Sequence, residues 1–278
     1  MSDQTHFSAE EFQNFRDFLQ EAAGIDLGLN KQYLVATRVR RILIDYKIET
    51  LADLTRVISS GSEQNLRQKV IDAMTTNETF WFRDIYPYEY LSNHFLAELR
   101  QRGVKRPRIW SAACSYGQEP YSISMIIEEY IQRSRGLSAF PCDILATDLS
   151  STVLDAAAKG CYDRLSVARG LEGDRLKAFF HQSSPDTWCV NKTIRDRISF
   201  RAQNLLESYL LLGKFDAIFC RNVLIYFSSE HKLNILQRLH RSLNKDGILV
   251  LGSSESLGEA NDLFATEHVR PGVIYRAR

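Results

Sequence analysis

The sequence predicts an α/β protein with three parts: an amino-terminal all-α domain, a largely parallel sheet covered by helices on both faces, and a small inserted β-subdomain. Three observations carry that prediction. Residues 1–75 show only helical periodicity. From about residue 105, short β-rich runs alternate with helical stretches, the pattern of a parallel sheet wrapped by helices. Residues 161–200 are longer than a normal crossover needs and predict an extra helix and a small hairpin.

Taken in order, "SAEEFQNFRDFLQEAAG" opens with a capping box, Ser8 to Glu11, and closes at Gly24. Phe12, Phe15 and Leu19 share one face of it. "NKQYLVATRVRRILIDYK" gathers Val35, Val39, Ile42, Leu43 and Tyr46 on a single face. "TLADLTRVISSG" and "SEQNLRQKVIDAM" each begin at a Thr or Ser cap. The result is a four-helix domain with no evident chemistry of its own. Residues 76–88 form a linker and 89–278 the second domain. The strands expected there are "RIWSAA", "CDILATD", "RISFRAQ", "FDAIFC" and "GILVLG". "EPYSISMIIEEYIQRSRG", "STVLDAAAKG" and "SEHKLNILQRLHRSLNKDG" are the helices between them. "ATEHVRPGVIYRAR" predicts a turn at Pro271-Gly272 and a last, antiparallel strand.

Composition narrows the function. Lys plus Arg number 35 against 34 Asp plus Glu, so no global field draws the chain to nucleic acid or a membrane surface. The five cysteines include no C-x-x-C pair and are expected as reduced thiols in apolar surroundings. The six histidines are scattered, so no metal is expected. "MSDQTHFSAEEF" lacks the regions of a signal peptide and no apolar run is long enough to span a bilayer, so the protein is expected in the cytoplasm. A monomer is expected from the lack of an obvious exposed apolar stripe.

The strand, tight turn and helix around "SAACSYGQEPYS" occupy the place of a nucleotide-binding loop in a Rossmann-like fold. The turn has one glycine, Gly117, and a carboxylate, Glu119, which would repel phosphate and attract an ammonium or sulfonium. Asp148 ends the second strand, where such folds hold a ribose diol. A ribose without phosphates joined to a positive group describes S-adenosylmethionine. The competing reading is that Glu119 merely supports a helix N-terminus and Asp148 merely caps "STVLDAAA".

"TTNETFWFRD", "WSAACSYGQEPYSI", "ATDLS", "QNLLE" and "FDAIFCRNVLIYF" occur in that order along nearly the whole chain. Together they resemble the signatures of the chemotaxis receptor methyltransferases, the CheR family. The resemblance implies S-adenosylmethionine-dependent esterification of glutamate side chains on the cytoplasmic rods of chemoreceptors, with S-adenosylhomocysteine as product. It implies that Asn77, Thr79 and Arg83 close over the cofactor. Glu119 then lies near the methionine half, Asp148 holds the ribose, Asn204 and Leu205 flank the adenine, and Arg221 with Asn222 line the pocket. Arg83 and Tyr226 are the groups implied nearest the methyl transfer, and the Phe-Trp-Phe run is read as packing. A glutamate has a reference pKa of about 4.3, so the nucleophile needs no general base.

Lys31, Arg38 and Arg41 share one edge of the second helix and, within this family, form a stripe suited to docking an acidic receptor bundle. Charge reversal at Arg38 and Arg41 is expected to leave cofactor affinity unchanged. The insert segment "HQSSPDTWCVNKTI" has no glycine and looks shortened, so binding of a receptor tail pentapeptide is not expected. The rival from another class is a non-catalytic module sensing S-adenosylmethionine or S-adenosylhomocysteine.

Overall fold

The computed structural model describes residues 7–134 and 140–278. Four helices come first: α1 (Ala9–Ala23), α2 (Gln32–Tyr46), α3 (Leu51–Ser59) and α4 (Gln64–Met74). The capping box at Ser8 and Glu11 is formed in full, and Gly24 ends α1 in the left-handed conformation. Thr50 caps α3. The expected Ser cap on α4 is not made: Glu63 stands at that position without a side-chain bond. The apolar faces read from the sequence meet in one core, with Phe15, Leu19, Val35, Val39, Leu51 and Leu54 fully buried.

From Tyr86, before the expected linker ends at residue 88, the chain forms a helix that the sequence pattern does not signal. It runs as α5 (Tyr86–Tyr90), a π turn at Leu91–Phe95 and α6 (Leu96–Gln101). Pro87 sits in the first turn, where its missing N–H costs no bond. Tyr86, Tyr88 and Tyr90 are all buried, so their period-2 spacing masks the helical period.

The second domain follows as β1 (Arg108–Ala112), α7 (Gln118–Arg133), β2 (Asp143–Asp148) and α8 (Ser151–Lys159). The last residues of the helix expected to reach 136 lie outside the described residues. Then come β3 (Cys161–Asp163), α9 (Arg164–Ala168), α10 (Gly173–Phe179), β4 (Phe180–Ser184), β5 (Thr187–Val190) and α11 (Lys192–Arg195). The insert is therefore a three-stranded sheet in the order β3-β5-β4 with three short helices, richer than one helix and a hairpin. Its hairpin turns in two residues, Pro185 and Asp186. The chain closes with β6 (Ile198–Ala202), β7 (Phe215–Cys220), α12 (Ser229–Ser242), β8 (Leu243–Leu251), β9 (Phe264–Val269) and β10 (Gly272–Ala277).

Two expectations are corrected here. The helix expected to run to residue 247 stops at Ser242, because Leu243 already pairs with Phe215 at the start of β8. The end of the chain supplies two antiparallel strands, not one, joined at the expected Pro271-Gly272 turn.

The main sheet has the order β6-β2-β1-β7-β8-β10-β9, parallel except at β10 and β9. From β1 the chain moves outward through β2 and β6, then returns to lay β7 on the other side of β1. That reversal opens a crevice beyond the carboxyl ends of β1 and β7, the place where such sheets bind ligands. Alternate residues of these strands fill separate cores on the two faces. Ile109, Ala217 and Phe219 lie on one, and Trp110, Ile218 and Cys220 on the other. Burial on both faces fixes the register of the strands that carry the crevice.

The cysteines depart from expectation. Cys114, Cys142 and Cys220 are buried free thiols, but Cys161 and Cys189 form a disulfide. The two are directly opposed in register between β3 and β5, a proximity that their separation of 28 residues conceals.

Candidate active site at the strand ends

The turn after β1 is built from alternating left-handed residues: Ala113 (φ 59°), Ser115 (φ 51°) and Gly117 (φ 90°). Gly117 is required on space as well as conformation, since a Cβ there would stand 3.0 Å from Ala157 Cβ and 3.2 Å from the Tyr162 hydroxyl. The Ser115 amide donates to Asp148 Oδ2 at 2.8 Å, and the Ser115 hydroxyl donates to the Asn77 carbonyl at 2.9 Å. The first strand end, the second strand end and the linker are thereby tied together.

Asp148 does not cap α8. Ser150 does, its hydroxyl accepting from the Val153 amide. Asp148 Oδ1 accepts from the Ser150 amide at 3.0 Å, so both carboxylate oxygens are held by backbone and keep spare lone pairs. Burial pushes the Asp148 carboxyl above its ordinary range, opposed by the amides of Ser150, Ser115 and Leu149.

Glu119 has a double task. Its Oε1 accepts from the Ser111 hydroxyl at 2.7 Å and its Oε2 from Arg221 Nη1 at 3.0 Å. Burial pushes its carboxyl upward, while Arg221 and Ser111 pull it back. Arg221 arrives at the end of β7 with a side chain only 2% exposed. Its Nη2 bonds Asp84 Oδ2 at 2.8 Å and the Arg83 carbonyl at 2.7 Å. Phe82, Asp84 and Ile85 all have positive φ, so this stretch of linker is backbone that Arg221 fixes in an unfavourable shape.

These elements enclose a cavity of about 350 Å³. It is lined by every cofactor or catalytic residue expected from the sequence: Asn77, Thr79, Arg83, Glu119, Asp148, Asn204, Leu205, Arg221, Asn222 and Tyr226. Asn204 presents little free amide, because its Nδ2 donates to the Ala22 carbonyl at 2.9 Å and its Oδ1 accepts from the Leu206 amide at 3.0 Å. Of the aromatic run, Trp81 and Phe82 are packed away, with Trp81 edge-on to Tyr162 and Phe180. Phe80 instead lines the cavity, beneath the guanidinium of Arg83.

The helical domain is part of this site. Residues of the loop between α1 and α2, including Ile25, Asp26 and Gly28, form one wall. The Asp26 amide donates to the Tyr226 carbonyl at 2.9 Å, and Gln68 Nε2 to the Leu149 carbonyl at 3.1 Å. No motif in the first domain signals this role, which arises from contacts across about two hundred residues of chain.

The basic stripe on α2 is also corrected. Arg38 is turned inward, donating to the carbonyls of Met74 at 2.8 Å and Thr75 at 3.1 Å and to the Thr76 hydroxyl at 3.1 Å. Lys31 and Arg38 both line the cavity. Only Arg41 points outward, beside Asp45 at 2.9 Å. Reversal at Arg38 would therefore disturb the linker and with it the cavity.

A buried pair of carboxylates, no glycine-rich phosphate cradle and a cavity at the sheet's switch point fit a nucleoside that carries a positive charge. Among the described residues no group of three or more His, Cys, Asp or Glu is placed to hold a metal ion, and no helix is long and apolar enough to cross a membrane. Fold and site together define an S-adenosylmethionine-binding methyltransferase.

Comparison with known proteins carries this further. The family pattern described as "CheR methyltransferase, SAM binding domain" matches residues 77–273. That described as "CheR methyltransferase, all-alpha domain" matches residues 10–75. The chain is 48% identical over 269 residues to Chemotaxis protein methyltransferase Cher2 of Pseudomonas putida, covering 96% of this chain and 98% of that one. It is 49% identical, with the same coverage, to Chemotaxis protein methyltransferase 1 of Pseudomonas aeruginosa. Chemotaxis protein methyltransferase 1 of Vibrio cholerae is 45% identical over 272 residues, covering 98% of each chain. The chain belongs to the CheR family and is an S-adenosylmethionine-dependent chemotaxis methyltransferase.

Proposed function

We propose that this chain methylates glutamate side chains on the cytoplasmic domain of chemoreceptors, forming glutamyl methyl esters. The observation that carries the reading is the presence of both carboxylates and basic side chains in the lining of one cavity. Glu119 in the first turn of α7 and Asp148 at the end of β2 supply carboxylates suited to a cationic cofactor with a ribose. Lys31, Arg38 and Arg83 line the same cavity and supply positive charge suited to an incoming carboxylate. When bound, the cofactor supplies an electrophilic methyl group and is left as the neutral thioether S-adenosylhomocysteine.

The protein's task is then alignment. A receptor glutamate is ionised at neutral pH, with a reference pKa of about 4.3, so no residue need remove a proton. Tyr226 and Arg83 orient that carboxylate, Asn77 and Thr79 cover the cofactor with the linker, and Leu205 and Asn204 border its base. Holding two reactants in register is worth roughly 7–11 kcal/mol in favourable cases. Tyr226 is the better orienting group, because a full ion pair to Arg83 would quench the nucleophile.

The domain reading is that residues 1–75 guide the receptor and 76–88 link them to the transferase domain, 89–278. Receptor docking rests on Arg41 at the outer face of α2, with Lys31 nearer the cavity. The two-residue β4–β5 turn leaves no long loop in the insert to grip a peptide, which supports independence from a receptor tail. The test is turnover of receptor methylation with cofactor saturating in Tyr226→Phe and Arg83→Lys. Losses of about 10- to 100-fold are expected, and wild-type turnover in both would remove the assigned roles.

A further inference from the structure

One carboxylate outside the cavity is hydrogen-bonded to the backbone of a loop that lines it. Glu255, in the turn after β8, accepts three backbone N–H groups. Asn222 and Gly252 donate to its Oε2 at 2.7 and 2.8 Å, and Leu224 donates to its Oε1 at 2.8 Å. Cys220 and Leu251 are register partners at the ends of β7 and β8, so Glu255 bridges two adjacent strand ends just beyond their last pairing. Its own amide closes the turn by donating to the Gly252 carbonyl at 2.9 Å.

The loop so held begins with a left-handed residue. Asn222 has φ 58°, in the left-handed region that non-glycine residues adopt uncommonly and that Asn tolerates better than most. Its side chain packs so closely on the β8 turn that a Cβ on Gly252 would stand 2.7 Å from both Asn222 Nδ2 and Glu255 Oε2. A carboxylate offers about four acceptor sites. No neutral side chain of that length accepts three amides without presenting a donor to one of them. The same loop brings Arg221, Asn222 and Tyr226 to the cavity, while Glu255 does not line it.

We propose that Glu255 is a positioning residue for methyl transfer, acting through the amides of Asn222 and Leu224 to set the Asn222–Tyr226 loop against the cofactor and the incoming carboxylate. The inference rests on the proposed function of the cavity. It predicts that Glu255→Gln, which keeps the size and exchanges one acceptor oxygen for a donor, loosens the loop without unfolding the sheet.

The experiment compares wild type and Glu255→Gln by amide hydrogen exchange, thermal unfolding and methyl transfer to receptor. Exchange at residues 222–226 should rise at least roughly tenfold, and kcat should fall about 10- to 100-fold at a temperature well below unfolding. A purely structural role would lower the unfolding temperature and leave kcat unchanged in the folded range. Faster exchange with unchanged kcat therefore overturns the proposal, as does exchange that does not change. If Glu255→Gln does not fold, Gly252→Ala presses on the same carboxylate and asparagine and is read in the same two ways. A wild-type protein that transfers no methyl to receptor would sink the proposed function, whereas an active wild type with an insensitive variant sinks this inference alone.

Discussion

Replacing Arg221 by methionine keeps the length of the stem and removes the cation that two carboxylates share. Glu119, with a side chain 12% exposed, and Asp84, at 25%, would lose their partner together. Leaving a buried charge unpaired costs about 3–5 kcal/mol. Most of it falls on Glu119, since Asp84 retains some contact with water. A domain pair of this size loses roughly 2–4 °C in unfolding temperature per kcal/mol, so a fall of about 6–20 °C is expected at neutral pH. Burial already holds the Glu119 carboxyl above its ordinary range, and loss of Arg221 raises it further. A raised carboxyl contributes its full stability below the unfolded pKa of about 4.3 and loses it as pH rises through the folded value. The gap between wild type and variant should therefore be small near the bottom of the carboxylate range and widest at neutral pH and above. Scanning calorimetry across that range measures it. A gap of less than about 2 °C at neutral pH, or one that does not change with pH, would refute the reasoning.

Asp148→Asn places an amide donor against the backbone amide of Ser115 or Ser150 and removes the charge. Binding of S-adenosylhomocysteine measured by titration calorimetry should weaken about 10- to 100-fold, as for loss of a hydrogen bond to a charged group worth about 1.5–3 kcal/mol. Because Glu119 and Asp148 are both held above the usual carboxylate range, a bound sulfonium should favour their ionised forms. S-adenosylmethionine affinity should thus rise with pH across that raised range, with proton release detected by calorimetry in buffers of different ionisation enthalpy. S-adenosylhomocysteine should show a smaller dependence. Arg41→Glu should weaken receptor binding in a salt-sensitive way and leave S-adenosylhomocysteine affinity unchanged, while Arg38→Glu should weaken both, as read by co-sedimentation with receptor membranes and by titration.

The legible part of the sequence was local. Capping residues at Ser8 and Thr50, the helical spacing of Phe12, Phe15 and Leu19, and the β-rich runs before Asp148 and Arg221 are set by near neighbours, and the structure follows them. That Glu119 and Asp148 would line one cavity was legible because the ends of parallel strands, and the helix N-termini that follow them, converge on one side of the sheet. Long-range contacts were not legible. Nothing near Arg38 says that its guanidinium bonds the Met74 carbonyl 36 residues away. Asp84 and Glu255 look like ordinary loop acids until the fold sets one against Arg221 and the other against three amides. The helix through residues 86–101 was hidden by buried tyrosines at alternate positions. The Cys161–Cys189 pair was hidden by a register that only the assembled insert sheet creates.

The central claim is methyl transfer to a receptor carboxylate from a cofactor held between the β1 turn and the linker. The most direct measurement incubates the protein with methyl-labelled S-adenosylmethionine and membranes rich in chemoreceptors, adds alkali and counts volatile methanol, which carboxyl esters release and methylated nitrogens do not. Receptor-dependent, alkali-labile counts that collapse in Asp148→Asn are the predicted result. Cofactor binding without such counts across several receptors, or label that survives alkali, would contradict the account.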